Sequence, residues 1–168
     1  MKVIRNVISQ VYQDRIESLM TDVHFKWGFL NDVTYSDADR GTPGFAHLFF
    51  DRETGLQSDH IDFVLPLLYS FIPSNNHELI RVKGGLLLST NVGYNNSHVD
   101  FNFPHTTALY YVNDSDGDTV FFDDSGEITH REKPEKGKVI IFDGSIYHAS
   151  SCPTLHTNRI ALNFNYVL

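Results

Sequence analysis

Cysteine is nearly missing from this sequence: Cys152 stands alone among 168 residues. A disulfide framework needs two thiols, so the core must hold the fold, and a lone cysteine fits a reducing compartment. Basic residues are scarce as well. Thirteen Lys and Arg stand against twenty-one Asp and Glu, a net charge of −8, with no basic run. A long phosphate backbone would be repelled, which argues against nucleic acid as a partner. Long apolar runs are lacking too. The longest, Phe63 to Tyr69, is far short of a membrane span, and the opening MKVIRNVISQVYQD has no apolar signal core. These absences together predict a soluble, cytoplasmic protein with no membrane partner. With no internal repeat, linker or low-complexity tract, and 41% hydrophobic residues, the chain reads as one domain over 1–168.

What is present divides into two halves. After a short strand in Lys2 to Ile8, Ser9 is placed to cap a helix whose apolar residues Tyr12, Ile16, Leu19, Met20 and Val23 keep helical spacing. A second helical pattern runs through Ile61, Val64, Leu65, Leu68 and Ile72, and Pro66 within it predicts a kink or a helix that begins there. From Glu78 onward the chain breaks into short strand-like segments, ELIRVKGGLLLST, TTALYYVND, DTVFFDD, GKVIIFD, YHASS and RIALNFNYVL, separated by turn-rich NDSDGD and DDSGE. The fold expected is mainly β with flanking N-terminal helices: a helical cover over about 9–75 and an antiparallel barrel or sandwich over about 78–168.

His98 and Asp100 lie two residues apart beside a strand-like stretch, so their side chains leave on the same face while Val99 points away. Such a pair is half of a metal site. His148, fifty positions later and after the apolar GKVIIFDGSIYHASS, is the best candidate for a third ligand. Two histidines and one carboxylate make a facial triad that leaves the opposite metal positions open. Nitrogen and oxygen donors without thiolate suit Fe(II), and also admit manganese, cobalt, nickel or zinc.

In NRIALNFNYVL, alternation puts Ile160, Leu162, Phe164 and Tyr166 on one face and Arg159, Ala161, Asn163 and Asn165 on the other. The first face suits burial under helices, the second the lining of a polar cavity. An arginine inside a barrel needs an anion, and its planar fork fits a carboxylate. The other option is an Arg paired with a surface Asp or Glu.

The order His98-x-Asp100, TALYYVN, GDTVFF, KGKVIIFDGSIYHASS and NRIALNFNY resembles the Fe(II)- and 2-oxoglutarate-dependent dioxygenases, in their prolyl 4-hydroxylase-like branch, over about Ile80 to Tyr166. The resemblance implies a double-stranded β-helix, or jelly roll. It implies His98, Asp100 and His148 as iron ligands, and Arg159 as the group that binds the distal carboxylate of 2-oxoglutarate. It further implies that Tyr111 reaches the same carboxylate, the other option for Tyr111 being a core tyrosine; Tyr110 is expected to point outward. The reaction implied takes O2 and 2-oxoglutarate to CO2 and succinate while hydroxylating a substrate C–H bond, with ascorbate as a supporting reductant. No acid or base is required at that carbon, so no catalytic residue beyond the metal ligands is assigned. The substrate stays open between a prolyl residue in a peptide, a free amino acid and another small molecule.

This chain departs from its relatives in two places. It has Gly117-Asp118 where they usually carry Gly-Gly, and the loop FNFPHTT is short, which weighs against a large folded substrate. His105, in that loop, reads as solvent-facing, with substrate contact as the other option, and Cys152 as a packed or loop thiol. Two further readings compete: a cupin-like metalloenzyme with non-oxidative chemistry, and a metal-binding jelly-roll module without 2-oxoglutarate turnover.

Overall fold

The computed structural model describes residues 1–34, 42–72, 77–90 and 93–168. Along the chain run β1 (Lys2–Ile4), α1 (Gln10–Met20), β2 (Gly28–Leu30), β3 (Gly44–Asp51), β4 (Gly55–Leu56) and α2 (Ile61–Tyr69). They are followed by β5 (Glu78–Leu88), β6 (Thr106–Tyr111), β7 (Thr119–Phe122), β8 (Ile128–Glu132), β9 (Val139–Asp143), β10 (His148–Ser150) and β11 (Asn158–Val167). The larger sheet has the order β1-β9-β6-β11-β5-β3-β2, with β4 added to β3, and the smaller one the order β10-β7-β8. All pairings are antiparallel.

The helices cover the outer face of the larger sheet. Ser9 caps α1 as expected, its hydroxyl accepting from the Tyr12 amide, and Ile16 and Met20 are buried. Val23 lies beyond the helix and is exposed, so the apolar stripe stops a turn earlier than its spacing predicts. The second helix begins at Ile61 and passes through Pro66 rather than starting there. Proline inside a helix costs about 3 kcal/mol. Burying Ile61, Val64, Leu67 and Leu68 returns roughly 1.5–3 kcal/mol each, so packing prevails. Those residues meet Ile160, Leu162, Phe164 and Tyr166, the apolar face of β11. Tyr110 joins this layer and is wholly buried; it points away from the barrel interior but not to solvent.

Between the sheets, Tyr111, Phe121, Ile140, Phe142 and Ala161 form a second core. Two packed antiparallel sheets with the helices outside make a jelly roll, the particular antiparallel architecture that the resemblance implies. One boundary moves: β2, β3 and β4 lie inside the stretch expected to be helical cover, and β3 extends the larger sheet beyond β5. A register shift between Leu48 and Phe50 breaks the strict alternation of β3, which hides it from a two-residue pattern. The β8 strand, mostly exposed and polar, carries no apolar alternation to be read.

Candidate metal centre and its cavity

His98, Asp100 and His148 each offer one ligand atom, and the three atoms lie within 4.8 Å of one another. His98 is held by a single bridge to His148, with reciprocal amide-to-carbonyl bonds of 3.0 Å in both directions. Asp100 sits in the bend just after, so the pair stands at the end of an extended segment rather than within a regular strand. The Nδ1 of His148 contacts Ile146 O at 3.0 Å and that of His98 contacts Asn96 O at 3.3 Å. A carbonyl only accepts, so Nδ1 carries the proton in both rings and Nε2 keeps its lone pair for a metal.

Asp100 is tightly engaged. Its Oδ1 accepts from Arg81 Nη2 at 2.6 Å, and its Oδ2 from Asn163 at 3.0 Å, Asn165 at 2.9 Å and Thr107 at 3.4 Å. Burial works against its charge, but Arg81, His148 and the two amides outweigh burial and hold the carboxyl well below the ordinary range. Burial lowers the His148 pKa against the pull of Asp100, which keeps the ring neutral. Arg81 is itself fixed by Asn165 Oδ1 at 3.2 Å and by stacking 4.7 Å over the Phe101 ring.

From these three residues a cavity of about 750 Å³, counting space open at its mouth, runs between the sheets to Arg159. Arg159 is 5% exposed. Its Nε donates to Gly117 O at 2.8 Å and its Nη2 to Thr119 Oγ1 at 2.9 Å. Among the described residues no carboxylate lies within ion-pair distance of it, and burial lowers its pKa. Gly117 is needed for this latch, since a Cβ there would run into Ser151 O and press on Arg159 Cδ. The chain's departure at Gly117-Asp118 thus adjoins the Arg159 latch.

Tyr111 is buried and does not line the cavity. Its hydroxyl meets Thr119 Oγ1 at 2.8 Å, its ring lies 5.6 Å beneath the Arg159 guanidinium, and burial pushes its phenol up to about 12 against the opposing pull of Arg159. His105 is also buried, contrary to the solvent-facing expectation. Its Nδ1 contacts Phe103 O at 2.8 Å and its ring packs edge-on against Phe101. Cys152 is a packed, free thiol.

The sequence reading passed over Arg81, Thr119 and Lys83. Alternation puts two of them on one face: Ile80 and Val82 face the helices, so Arg81, Lys83 and Gly85 share the other side, while Thr119 lies on β7, which is buried throughout and shows no alternation. Lys83 lines the wall opposite Asn163, and burial, with Arg81 nearby, pushes its ammonium down to about 8 although Asp100 opposes them.

No protein-family model matches the sequence, and no curated protein does. Solved structures match along nearly the whole chain. An oxidoreductase of the 2OG-Fe(II) oxygenase family from Burkholderia pseudomallei superposes with a TM-score of 0.76 at 14% identity, over 98% of this chain and 83% of its own. A viral collagen prolyl hydroxylase from Paramecium Bursaria Chlorella virus-1, in complex with 2OG, gives 0.61 at 14%, over 98% and 94%. A prolyl hydroxylase from Trichoplax adhaerens, in complex with a hypoxia inducible factor peptide fragment, gives 0.67 at 14%, over 98% and 82%. The chain shares the fold of these oxygenases.

Proposed function

We propose that this protein is an Fe(II)- and 2-oxoglutarate-dependent oxygenase that hydroxylates an unactivated C–H bond of a substrate. One observation carries the reading: a buried Arg159 without an ion-pair partner among the described residues shares a cavity with a His-Asp-His face. A buried cation held by a carbonyl and a hydroxyl is stable only if an anion joins it. The metal donors are two imidazoles presenting Nε2 and one ionised carboxylate, a set suited to Fe(II).

His98, Asp100 and His148 would hold the metal. When bound, Fe(II) supplies the chemistry that couples oxidation of 2-oxoglutarate by O2, with loss of CO2 and formation of succinate, to hydroxylation. The protein contributes position and exclusion of water. Arg81, Asn163 and Asn165 fix the Asp100 carboxylate in one orientation before any metal arrives. Arg159 receives the distal carboxylate of 2-oxoglutarate with the donors that Gly117 and Thr119 leave unused. Tyr111 acts on the same carboxylate through Thr119, whose hydroxyl it shares with Arg159, and so serves as a positioning residue. Phe121 and Phe142 wall His148 and keep the centre dry.

The substrate is a peptide or a small molecule. A peptide is seen bound to one structural neighbour, while the short loop after the metal motif weighs against a large folded partner. Among the described residues no helix is long and apolar enough to cross a membrane, and the lone Cys152 supports a cytoplasmic setting.

The test is succinate formation from 2-oxoglutarate by purified protein with Fe(II), ascorbate and air, without added substrate. Slow turnover that disappears in Arg159→Ala is the expected result. A protein that binds metal but neither binds nor consumes 2-oxoglutarate is instead a metal-binding jelly-roll module.

A further inference from the structure

Away from the metal centre, three segments of the chain converge on one imidazole. His47 belongs to β3, Lys26 lies shortly before β2, and Ser58 stands between β4 and α2. The Nδ1 of His47 contacts Lys26 O at 2.7 Å, and its Nε2 contacts Ser58 Oγ at 2.8 Å. A carbonyl only accepts, so Nδ1 carries the proton of the neutral ring and Nε2 accepts from the Ser58 hydroxyl. Burial lowers the His47 pKa against the pull of the Lys26 carbonyl, and His60 adds to the fall, which keeps the ring neutral. The ring is also held in place. Phe25 lies 4.4 Å from it and Phe49 4.5 Å, centre to centre, and Phe49 is wholly buried. A hydroxyl, a base placed to take its proton and a third group that orients the base are the signature of an activated nucleophile.

The surroundings of Ser58 complete the arrangement. Its oxygen accepts from the His60 amide at 3.2 Å, a turn contact that uses a lone pair and leaves the hydroxyl proton to His47. The backbone amide of Asp59, the next residue, has no acceptor among the described residues. An amide in that position, just after a serine that precedes a helix, can stabilise charge on an attacked carbonyl oxygen. Beside the pair lies a pocket of about 780 Å³, counting space open at its mouth, which shares no lining residue with the metal cavity. Leu56 is the one apolar side chain on its described wall, which suits a short acyl chain rather than a long one.

We propose that Ser58 and His47 form a second active site, which hydrolyses small esters of short-chain acids. As Ser58 Oγ bonds to the carbonyl carbon, its proton passes to His47 Nε2, which hands it to the alcohol oxygen as the ester C–O bond breaks. Water then attacks the acyl group on Ser58, and its proton returns through His47 to the serine oxygen as the carboxylic acid leaves. The Asp59 amide is the donor for the oxygen that gains charge in both steps. Nothing is oxidised or reduced and no metal takes part, so this activity is independent of the oxygenase reading.

The experiment offers purified protein, with and without EDTA, p-nitrophenyl acetate and p-nitrophenyl octanoate, and treats a separate sample with a fluorophosphonate whose adduct is located by mass spectrometry. The acetate should be hydrolysed faster than the octanoate, at a rate that EDTA leaves unchanged. That rate should fall about 100-fold or more in Ser58→Ala and in His47→Gln, and no further when both are combined, because the two side chains act as a unit. The fluorophosphonate should attach to Ser58. Hydrolysis that persists in folded Ser58→Ala, a faster octanoate reaction, or an adduct on another residue or none each overturns the proposal. Loss of the activity in EDTA assigns it to the metal centre and overturns it too. Where Ser58→Ala does not fold, the position of the adduct in the wild-type protein decides.

Discussion

Replacing Arg159 by Met separates two effects that usually travel together. The guanidinium uses Nε on Gly117 O and Nη2 on Thr119 Oγ1, so its remaining N–H groups are what a carboxylate would meet. Charge-assisted bonds contribute roughly 1.5–3 kcal/mol each. Losing two costs about 3–6 kcal/mol, a fall of roughly 10²–10⁴ in affinity for 2-oxoglutarate. The empty protein should respond in the other direction. Methionine removes a buried charge with no ion-pair partner among the described residues, relieving a burial penalty of several kcal/mol. Against this, Gly117 O loses its donor, at about 1–3 kcal/mol, while Thr119 keeps the Tyr111 hydroxyl. Metal-free Arg159→Met should therefore melt at the wild-type temperature or somewhat above it, at about 2–4 °C per kcal/mol for a chain of this size. Calorimetric titration of the Mn(II)-loaded variant with 2-oxoglutarate and scanning calorimetry of the metal-free variant read the two effects. An affinity within about threefold of wild type, or a fall in melting temperature of about 10 °C, would refute the reasoning, because either would mean that Arg159 is a structural cation.

Arg81→Met should lower metal affinity about 10- to 100-fold by loosening Asp100, measured by chelator competition; an unchanged affinity removes Arg81 from the site. Gly85→Leu should fold normally, since a Cβ there meets nothing within 4 Å. It should keep the metal and lose 2-oxoglutarate, because Gly85 lines the cavity between the levels of Lys83 and Arg159; retained binding in a titration would show that the cosubstrate lies elsewhere. The metal-free protein should lose stability as pH falls. His148 and Asp100 both have lowered pKa values when folded, so the unfolded chain binds more protons. The His148 contribution starts to go below its ordinary 6.5 and that of Asp100 below 3.8. Melting temperatures from pH 8 to 3 test this, and a flat profile down to pH 4 would contradict the His148 part.

The polar face of β11 was legible, because alternation from Arg159 to Tyr166 leaves Arg159, Asn163 and Asn165 one side to occupy. The i, i+2 spacing of His98 and Asp100 was legible too, and the bridge that brings His148 beside them is a product of the fold. The same alternation in β5 holds Arg81 and Lys83, but ELIRVKGG reads first as an ordinary strand. Only the fold shows that its charged face meets Asp100. His105 misled because a polar ring in a Pro-containing loop suggests exposure, whereas Phe101, Phe103 and Gly144 enclose it. The β3 strand was hidden by its register shift, and the end of the first helix by Val23, which continues the spacing without continuing the helix.

The reciprocal pairing of His98 and His148 makes a metal at this site a cross-link as well as a reagent. Those two residues stand fifty positions apart in the chain yet share one rung of backbone, with their ring centres 4.9 Å apart. An ion joining the rings closes a loop of that length, a constraint whose entropic effect on the unfolded chain is several kcal/mol for covalent links of similar span. It falls where the ladder is thinnest, since among the described residues the segment bearing His98 meets β10 through one isolated bridge and the Asn95–Ser150 hydrogen bonds rather than a continuous ladder. Metal occupancy should thus set how often this margin of the smaller sheet opens. Amide exchange at His98 and His148 would slow on loading, while the middle of β11, paired on both sides, would scarcely register the change.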